Sequence, residues 1–163
     1  GAAAALEAEY TLPGISQSVV ITRMAGRTPV PEKESVRSFA AHQATMVLFL
    51  STGLLKELSA ELIEGGYNED TPAAIVYKAT WPEQKVLRCT VGTLEQTARE
   101  ADVTKTALIV VGEVLDGTYE RSKLYDPTFT TEFRQASCSK KDSGQTGEDQ
   151  STEMRQEAEE QNK

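Results

Sequence analysis

Arg23 and Arg27 bracket Met24, Ala25 and Gly26, and the loop they occupy is stiffened further on by Pro29 and Pro31. Two guanidinium groups on such a loop can grip carboxylates through paired hydrogen bonds, a geometry that lysine does not offer. Glu32 and Glu34 follow closely and compete for the same two charges. From spacing alone, local ion pairs are at least as good an account of the arginines as an outside acid. A second candidate lies in the connector KATWPEQ, residues 78–84. Ala79 and Thr80 are small and follow the apolar run AAIVY, so a ligand can approach the backbone there. The carboxyl edge of α/β sheets is where such folds usually bind ligands. An ordinary hairpin with a packed Trp81 explains the same residues, and by themselves they favour that plainer account.

Other chemistries find little support. His42 is the only histidine and ends a helical segment, which suits a surface position better than a catalytic base. A serine triad or a histidine-based metal site is therefore not expected. Cys89 and Cys138 give neither a disulfide framework nor a metal spacing, and Cys89 falls in an expected strand as a small core residue. Neither GxGxxG nor GxxxxGK[ST] occurs. The carboxylate pairs Glu32/Glu34 and Glu69/Asp70 sit in polar surroundings and read as surface charge. A formal net charge of −8 argues against nucleic acid, which calls for a basic face.

The elements that must position these residues alternate. Residues 18–23 (SVVITR) form a β-branched strand, and Pro31 opens a helix running to about His42. Residues 45–50 (TMVLFL) make a continuous apolar strand of the buried kind. Ser51 or Thr52 caps a helix with Leu54, Leu55, Leu58 and Leu62 at helical spacing, stopped by Gly65 and Gly66. Residues 73–77 and 85–91 are two strands whose connector is too short for a parallel crossover, so they pair antiparallel. Thr93 with Gln96 gives a capping-box pattern for the next helix, and residues 106–111 (TALIVV) form a last buried strand before Gly112. Residues 119–125 suggest a weaker edge strand. This order predicts an α/β fold: a mixed, mostly parallel sheet with one antiparallel step and helices on both faces.

From residue 137 the composition changes. Residues 137–163 hold seven acidic and four basic side chains and three apolar ones, Cys138, Met154 and Ala158. Such a stretch cannot bury enough surface to offset its ordering entropy, so a disordered tail is expected, with at most a nascent helix near 152–160. No apolar run approaches the roughly 20 residues of a membrane span. The beginning, GAAAAL, is helix-forming without an initiator Met or a basic leader region, and reads as a piece of something longer.

Four segments, TLPGISQSVVITRMAGRTPVPE, VLFLST, AAIVYKATWPEQKVLRCTVGTL and ALIVVGEVL, in that order, resemble the tetrapyrrole methylases over about residues 1–136. GRTPVPE and YKATWPEQ look most like the branch that methylates C-11 of precorrin-4 in cobalamin biosynthesis. The resemblance implies a cytoplasmic, homodimeric, two-domain enzyme that folds S-adenosylmethionine into the cleft between its domains. This chain is similar to the C-terminal domain, residues 1–136, and lacks the glycine-rich N-terminal one. Carried over by position, Leu50 and Ala79 contact the adenosine, Ala79 through its backbone, and Ala107 is a further cofactor contact. Arg23 and Arg27 face the acidic side chains of the tetrapyrrole substrate, with Thr28 and Glu32 shaping that edge. No catalytic acid or base is nominated in this half. Two alternatives stay open: a non-catalytic dimerising module, and a methylase of another tetrapyrrole such as uroporphyrinogen III.

Overall fold

Five short strands make one sheet, and its order departs from the chain order: β1-β2-β5-β3-β4. The computed structural model describes residues 1–117 and Thr130, so the edge strand expected at 119–125 and the polar tail from 137 lie outside the described residues. The strands are β1 (Val19–Arg23), β2 (Thr45–Phe49), β3 (Pro72–Tyr77), β4 (Lys85–Thr90) and β5 (Ala107–Val111). The helices are α1 (Ala2–Leu6), α2 (Val36–Ala40), α3 (Leu55–Gly65) and α4 (Leu94–Glu100).

An α/β fold with a mixed sheet is what the alternation predicts, and the β3–β4 hairpin is antiparallel as expected, its register running from Pro72 opposite Thr90 to Tyr77 opposite Lys85. The expectation of a mostly parallel sheet needs correction. Among the described residues only β1 and β2 pair in parallel; β5 is antiparallel to both β2 and β3. β1, β2 and β3 do run the same way, as βαβ units require, but β5 enters between β2 and β3 in the opposite direction. An apolar strand buried on both faces has the same composition whichever way it runs, so TALIVV carried no signal of its direction.

Alternation along these strands feeds two cores. Met46, Leu48, Ile75 and Ile109 meet Leu55, Leu58, Leu62 and Leu94 beneath α2, α3 and α4. Val47, Ala74, Val76 and Val110 meet Ala2 and Leu6 of α1 together with Leu12, Val114 and Leu115. Helices therefore cover both faces, unequally. Each large side chain fully buried in this way contributes about 1.5–3 kcal/mol.

Helix starts differ from the sequence patterns because hydroxyl side chains intervene. The helix expected from Pro31 is a 3-10 turn at Glu32–Glu34, and α2 restarts where the Ser35 hydroxyl accepts the Ser38 N–H at 3.2 Å. The capping box before α4 joins Thr90 to Thr93, while Gln96 turns to the Glu100 carboxylate at 2.8 Å. Ser51 caps nothing; a 3-10 turn, Thr52–Leu54, leads into α3.

Gly65 is required by the approach of two helices. A Cβ there would lie 2.4 Å from the Ala40 Cβ and 2.6 Å from the Arg37 carbonyl oxygen. Gly65→Ala must push α3 off α2, and a loss of about 1–3 kcal/mol is expected in urea unfolding, with the fold retained.

Two ionisable groups, one buried (Tyr67) and one half-buried (Cys89), set an alkaline limit. Burial pushes the Cys89 thiol up to about 11, against a smaller lowering from its hydrogen bond with Thr97. Burial also pushes the Tyr67 phenol up to about 12, with the Glu113 carboxylate adding to the effect, while the phenol donates to the Ala44 carbonyl. The native state holds both protons after the unfolded chain has released them. Their contribution is intact below about pH 9 and is lost as pH rises through about 11 and about 12. Urea midpoints should be flat from pH 7 to 8.5 and fall above pH 9, and Cys89→Ala should flatten the first part of that fall.

Candidate functional site

The register puts four strand ends at one edge of the sheet. Arg23 closes β1 beside Phe49 at the end of β2, and Tyr77 closes β3 beside Ala107 at the start of β5. Because β5 runs against its neighbours, its first residue stands among their last ones. A cavity of about 280 Å³ opens at this edge, lined by Phe49, Leu50, Thr52, Val76, Lys78, Ala79, Trp81, Thr106, Ala107 and Leu108. Leu50, Ala79 and Ala107, from three separate segments, thus come together in one place.

Each contributes differently. Leu50 is 86% exposed and stands at the cavity wall, whereas Ala107 is 8% exposed and belongs to the floor. Ala79 is half-buried, and among the described residues its backbone N–H and C=O have no hydrogen-bond partner. One donor and one acceptor, side by side on a small residue, can read the edge of a flat heterocycle that offers the complementary pair. Trp81, 55% exposed, adds an aromatic surface. The Lys78 ammonium lies 5.3 Å from the Trp81 ring centre, 5.4 Å from that of Tyr77 and 3.8 Å from the Glu83 carboxylate. Those contacts, with the Thr80 N–H donating to the Gln84 side chain at 2.8 Å, give the connector a fixed shape.

Backbone strain gathers here. Among the described residues seven non-glycine residues have positive φ; Glu7, Gln43 and Asp102 follow helices, where left-handed residues are ordinary stops. Of the other four, Leu50, Lys78 and Thr106 line this cavity, and Thr80 stands between the lining residues Ala79 and Trp81. A left-handed non-glycine residue costs about 1–2 kcal/mol, and β-branched threonine is poorly suited to it. Such strain persists where the neighbouring structure over-determines it. Here the Lys78 N–H donates to the Thr106 carbonyl at 2.9 Å, and the Thr52 hydroxyl to the Ala107 carbonyl at 3.3 Å.

The arginine loop lies outside the cavity lining. Arg23 turns its guanidinium back on the loop itself, donating to the carbonyls of Met24 and Thr28 at 3.1 Å and of Pro29 at 3.2 Å. Arg27, Thr28 and Glu32 are exposed. Arg27 makes no ion pair among the described residues, so the competing assignment to Glu32 and Glu34 is not what the structure shows. Sequence reasoning missed Thr106, Lys78, Thr52 and Trp81 as lining residues. Nothing in the types of Lys78 and Thr106 signals a left-handed backbone; only their closeness to strand ends pointed that way. A larger cavity of about 670 Å³ beside α1 and Arg88 includes none of the expected residues, and the described residues stop at its rim, at Gly117. The Arg88 guanidinium there is already engaged by the Leu6 and Leu115 carbonyls. Among the described residues no cluster of three metal-ligating side chains occurs, and no helix is long and apolar enough to cross a membrane.

Comparison with known proteins gives this arrangement its relatives. Residues 1–95 match the model of the tetrapyrrole (corrin/porphyrin) methylases. The chain is 48% identical over 136 residues to the cobalt-precorrin-4 C(11)-methyltransferase of Methanocaldococcus jannaschii, covering 83% of this chain and 52% of that protein. It is 43% identical over 115 residues to a precorrin-4 C(11)-methyltransferase of Mycobacterium tuberculosis, covering 70% and 46%. An X-ray structure of a cobalt precorrin-4 methyltransferase superposes with a TM-score of 0.69 at 49% identity, covering 71% of this chain and 48% of that one. A uroporphyrin-III C-methyltransferase of Thermus thermophilus, complexed with S-adenosylhomocysteine, shares the fold at 22% identity and a TM-score of 0.56, covering 72% and 51%. The chain spans about half the length of the curated relatives it matches.

Proposed function

Since this chain belongs to the tetrapyrrole methylase family, we propose that it forms the C-terminal half of an enzyme that methylates C-11 of precorrin-4 using S-adenosylmethionine. The observation that carries the reading is the convergence of Leu50, Ala79 and Ala107 on one cavity, with the Ala79 backbone donor and acceptor unpaired among the described residues. Adenine presents a ring nitrogen that accepts and an amino group that donates, which is the complement of the Ala79 N–H and C=O. Leu50 and Trp81 supply apolar surface beside it, and a Cβ larger than that of Ala79 would occupy the space. At about 280 Å³ the cavity lies just under the roughly 300 Å³ at which ligand pockets begin, as suits one wall of a cleft that a second half completes.

When bound, S-adenosylmethionine supplies a methyl group on a positively charged sulfur. Leu50, Ala79 and Ala107 would hold its adenosine end while that methyl is offered to a nucleophilic carbon of the macrocycle. The acceleration comes from holding donor and acceptor in near-attack geometry, so this half contributes placement and no acid or base. Arg27, exposed and unpaired by the described residues, grips an acidic side chain of the macrocycle, and Arg23 shapes the loop that presents it. Identities of 48% and 49% to cobalt-precorrin-4 enzymes, against 43% to a precorrin-4 enzyme, favour the cobalt-containing macrocycle as substrate. The remaining half of the enzyme and a second copy are the proposed macromolecular partners. Ile21, 67% exposed on edge strand β1, and Phe49, 44% exposed, offer apolar surface for such contacts.

Calorimetry with S-adenosylhomocysteine tests the assignment. The chain alone should bind weakly, and joining it to the N-terminal half should restore tight binding. In that complete enzyme Ala79→Leu should weaken cofactor binding at least tenfold, about 1.4 kcal/mol, with unchanged unfolding. Arg27→Ala should weaken macrocycle binding about tenfold to a hundredfold, the value of a charged hydrogen bond, and spare the cofactor. The opposite pattern would misplace both. A stable dimer that never methylates, even when completed, would instead favour a non-catalytic associating module.

A further inference from the structure

Ser51 has no exposed surface, its side chain caps no helix, and its hydroxyl makes one local and one long-range bond. Its hydroxyl donates to the Phe49 carbonyl at 2.7 Å and accepts the Met24 N–H at 3.0 Å. A hydroxyl has a single proton, and here it goes to the strand end, so the oxygen lone pairs face the loop. The first bond closes over Leu50, whose φ of 52° turns its side chain out to the cavity wall. The second reaches the first residue of the loop that carries Arg27. That loop is then closed on itself by the Arg23 guanidinium and by the Gly26 N–H donating to the Thr28 carbonyl at 3.3 Å.

We propose that Ser51 is a positioning residue that fixes the separation between the adenosine-side wall at Leu50 and the carboxylate-gripping Arg27. This role rests on the cofactor and macrocycle assignments made above. Methyl transfer is steep in donor–acceptor distance, so a single buried hydroxyl shared by the two half-sites holds them in one geometry. Removing it frees the left-handed turn and the loop together, and leaves the Met24 N–H without its partner.

Two measurements decide this. In the first, trypsin cleavage after Arg27 is followed in this chain without ligand, with cleavage after exposed Lys105 as internal reference and urea unfolding as a check on the fold. Ser51→Ala should be cut after Arg27 at least fivefold faster relative to Lys105, and Ser51→Thr, which keeps the hydroxyl, should stay near wild type. Equal ratios in all three proteins would overturn the strut. In the second, the complete methylase is assayed. Ser51→Ala should raise KM for the macrocycle and lower kcat, each at least fivefold, with Ser51→Thr restoring both. Unchanged kcat and KM in an active Ser51→Ala enzyme would overturn the coupling. Absence of methyl transfer by the wild-type enzyme would count against the proposed function, while the proteolysis ratios still decide the strut.

Discussion

The pairing of β5 with both β2 and β3 is the constraint on which the candidate site depends. Three register pairs with β2 and five with β3 fix where β5 begins, and it begins at the edge where β1, β2 and β3 end. A parallel β5 would have presented its last residue, Val111, at that edge and carried Ala107 to the far side of the sheet. The pairing also separates β2 from β3 by one strand, so that Leu50 and Ala79 face each other across the start of β5. The cavity is therefore a product of topology first and of side chains second. Ile109 and Val110, buried on opposite faces, bind β5 into both cores, so the strand cannot slip without turning its apolar residues outward.

Strain at the same edge follows from that arrangement. Three of the segments at that edge, those leaving β2 and β3 and the one entering β5, turn at left-handed residues: Leu50, Lys78 with Thr80, and Thr106. Glycine would relieve the backbone at every one of them. Leucine and lysine are retained where their side chains form the wall and tie the connector through Trp81 and Glu83. A rigid edge with unpaired backbone groups is what a flat ligand needs, because little ordering remains to be done on binding.

Much of this was legible in the residues, and the parts that were not have physical reasons. Runs such as TMVLFL and AAIVY announce buried strands because both faces must be apolar, and KATWPEQ is short enough to force a hairpin. Direction is another matter: β5 looks the same read either way, so the mostly parallel sheet expected from the alternation proved to hold a single parallel pair. Hydroxyl residues misled for a related reason. Ser51 and Thr93 both fit helix starts, yet Ser35 caps one helix, Thr93 serves as the inner member of a box that Thr90 opens, and Ser51 was drawn to Met24 and Phe49. A side chain that can satisfy any nearby backbone group is assigned by tertiary placement, which local spacing does not contain. Leu50, Ala79 and Ala107 were placed by family resemblance, and what their neighbourhood adds is a physical reason for the choice.

The two arginines show why residue type alone overstates a binding edge. Both offer the same fork of donors, and three residues separate them. Arg23 sits at the end of a strand, where its guanidinium meets three carbonyls of a loop that has no ladder partner for them. Those carbonyls need donors, and a charged donor satisfies three at once at modest cost in exposure. Arg27 sits at the loop's exposed side and meets no such demand. One arginine is thereby committed to holding the loop's shape and the other is left to present charge from it. On the proposed function, that division would set the distance between the charge that grips an acidic macrocycle and the methyl donor by something stiffer than a loop.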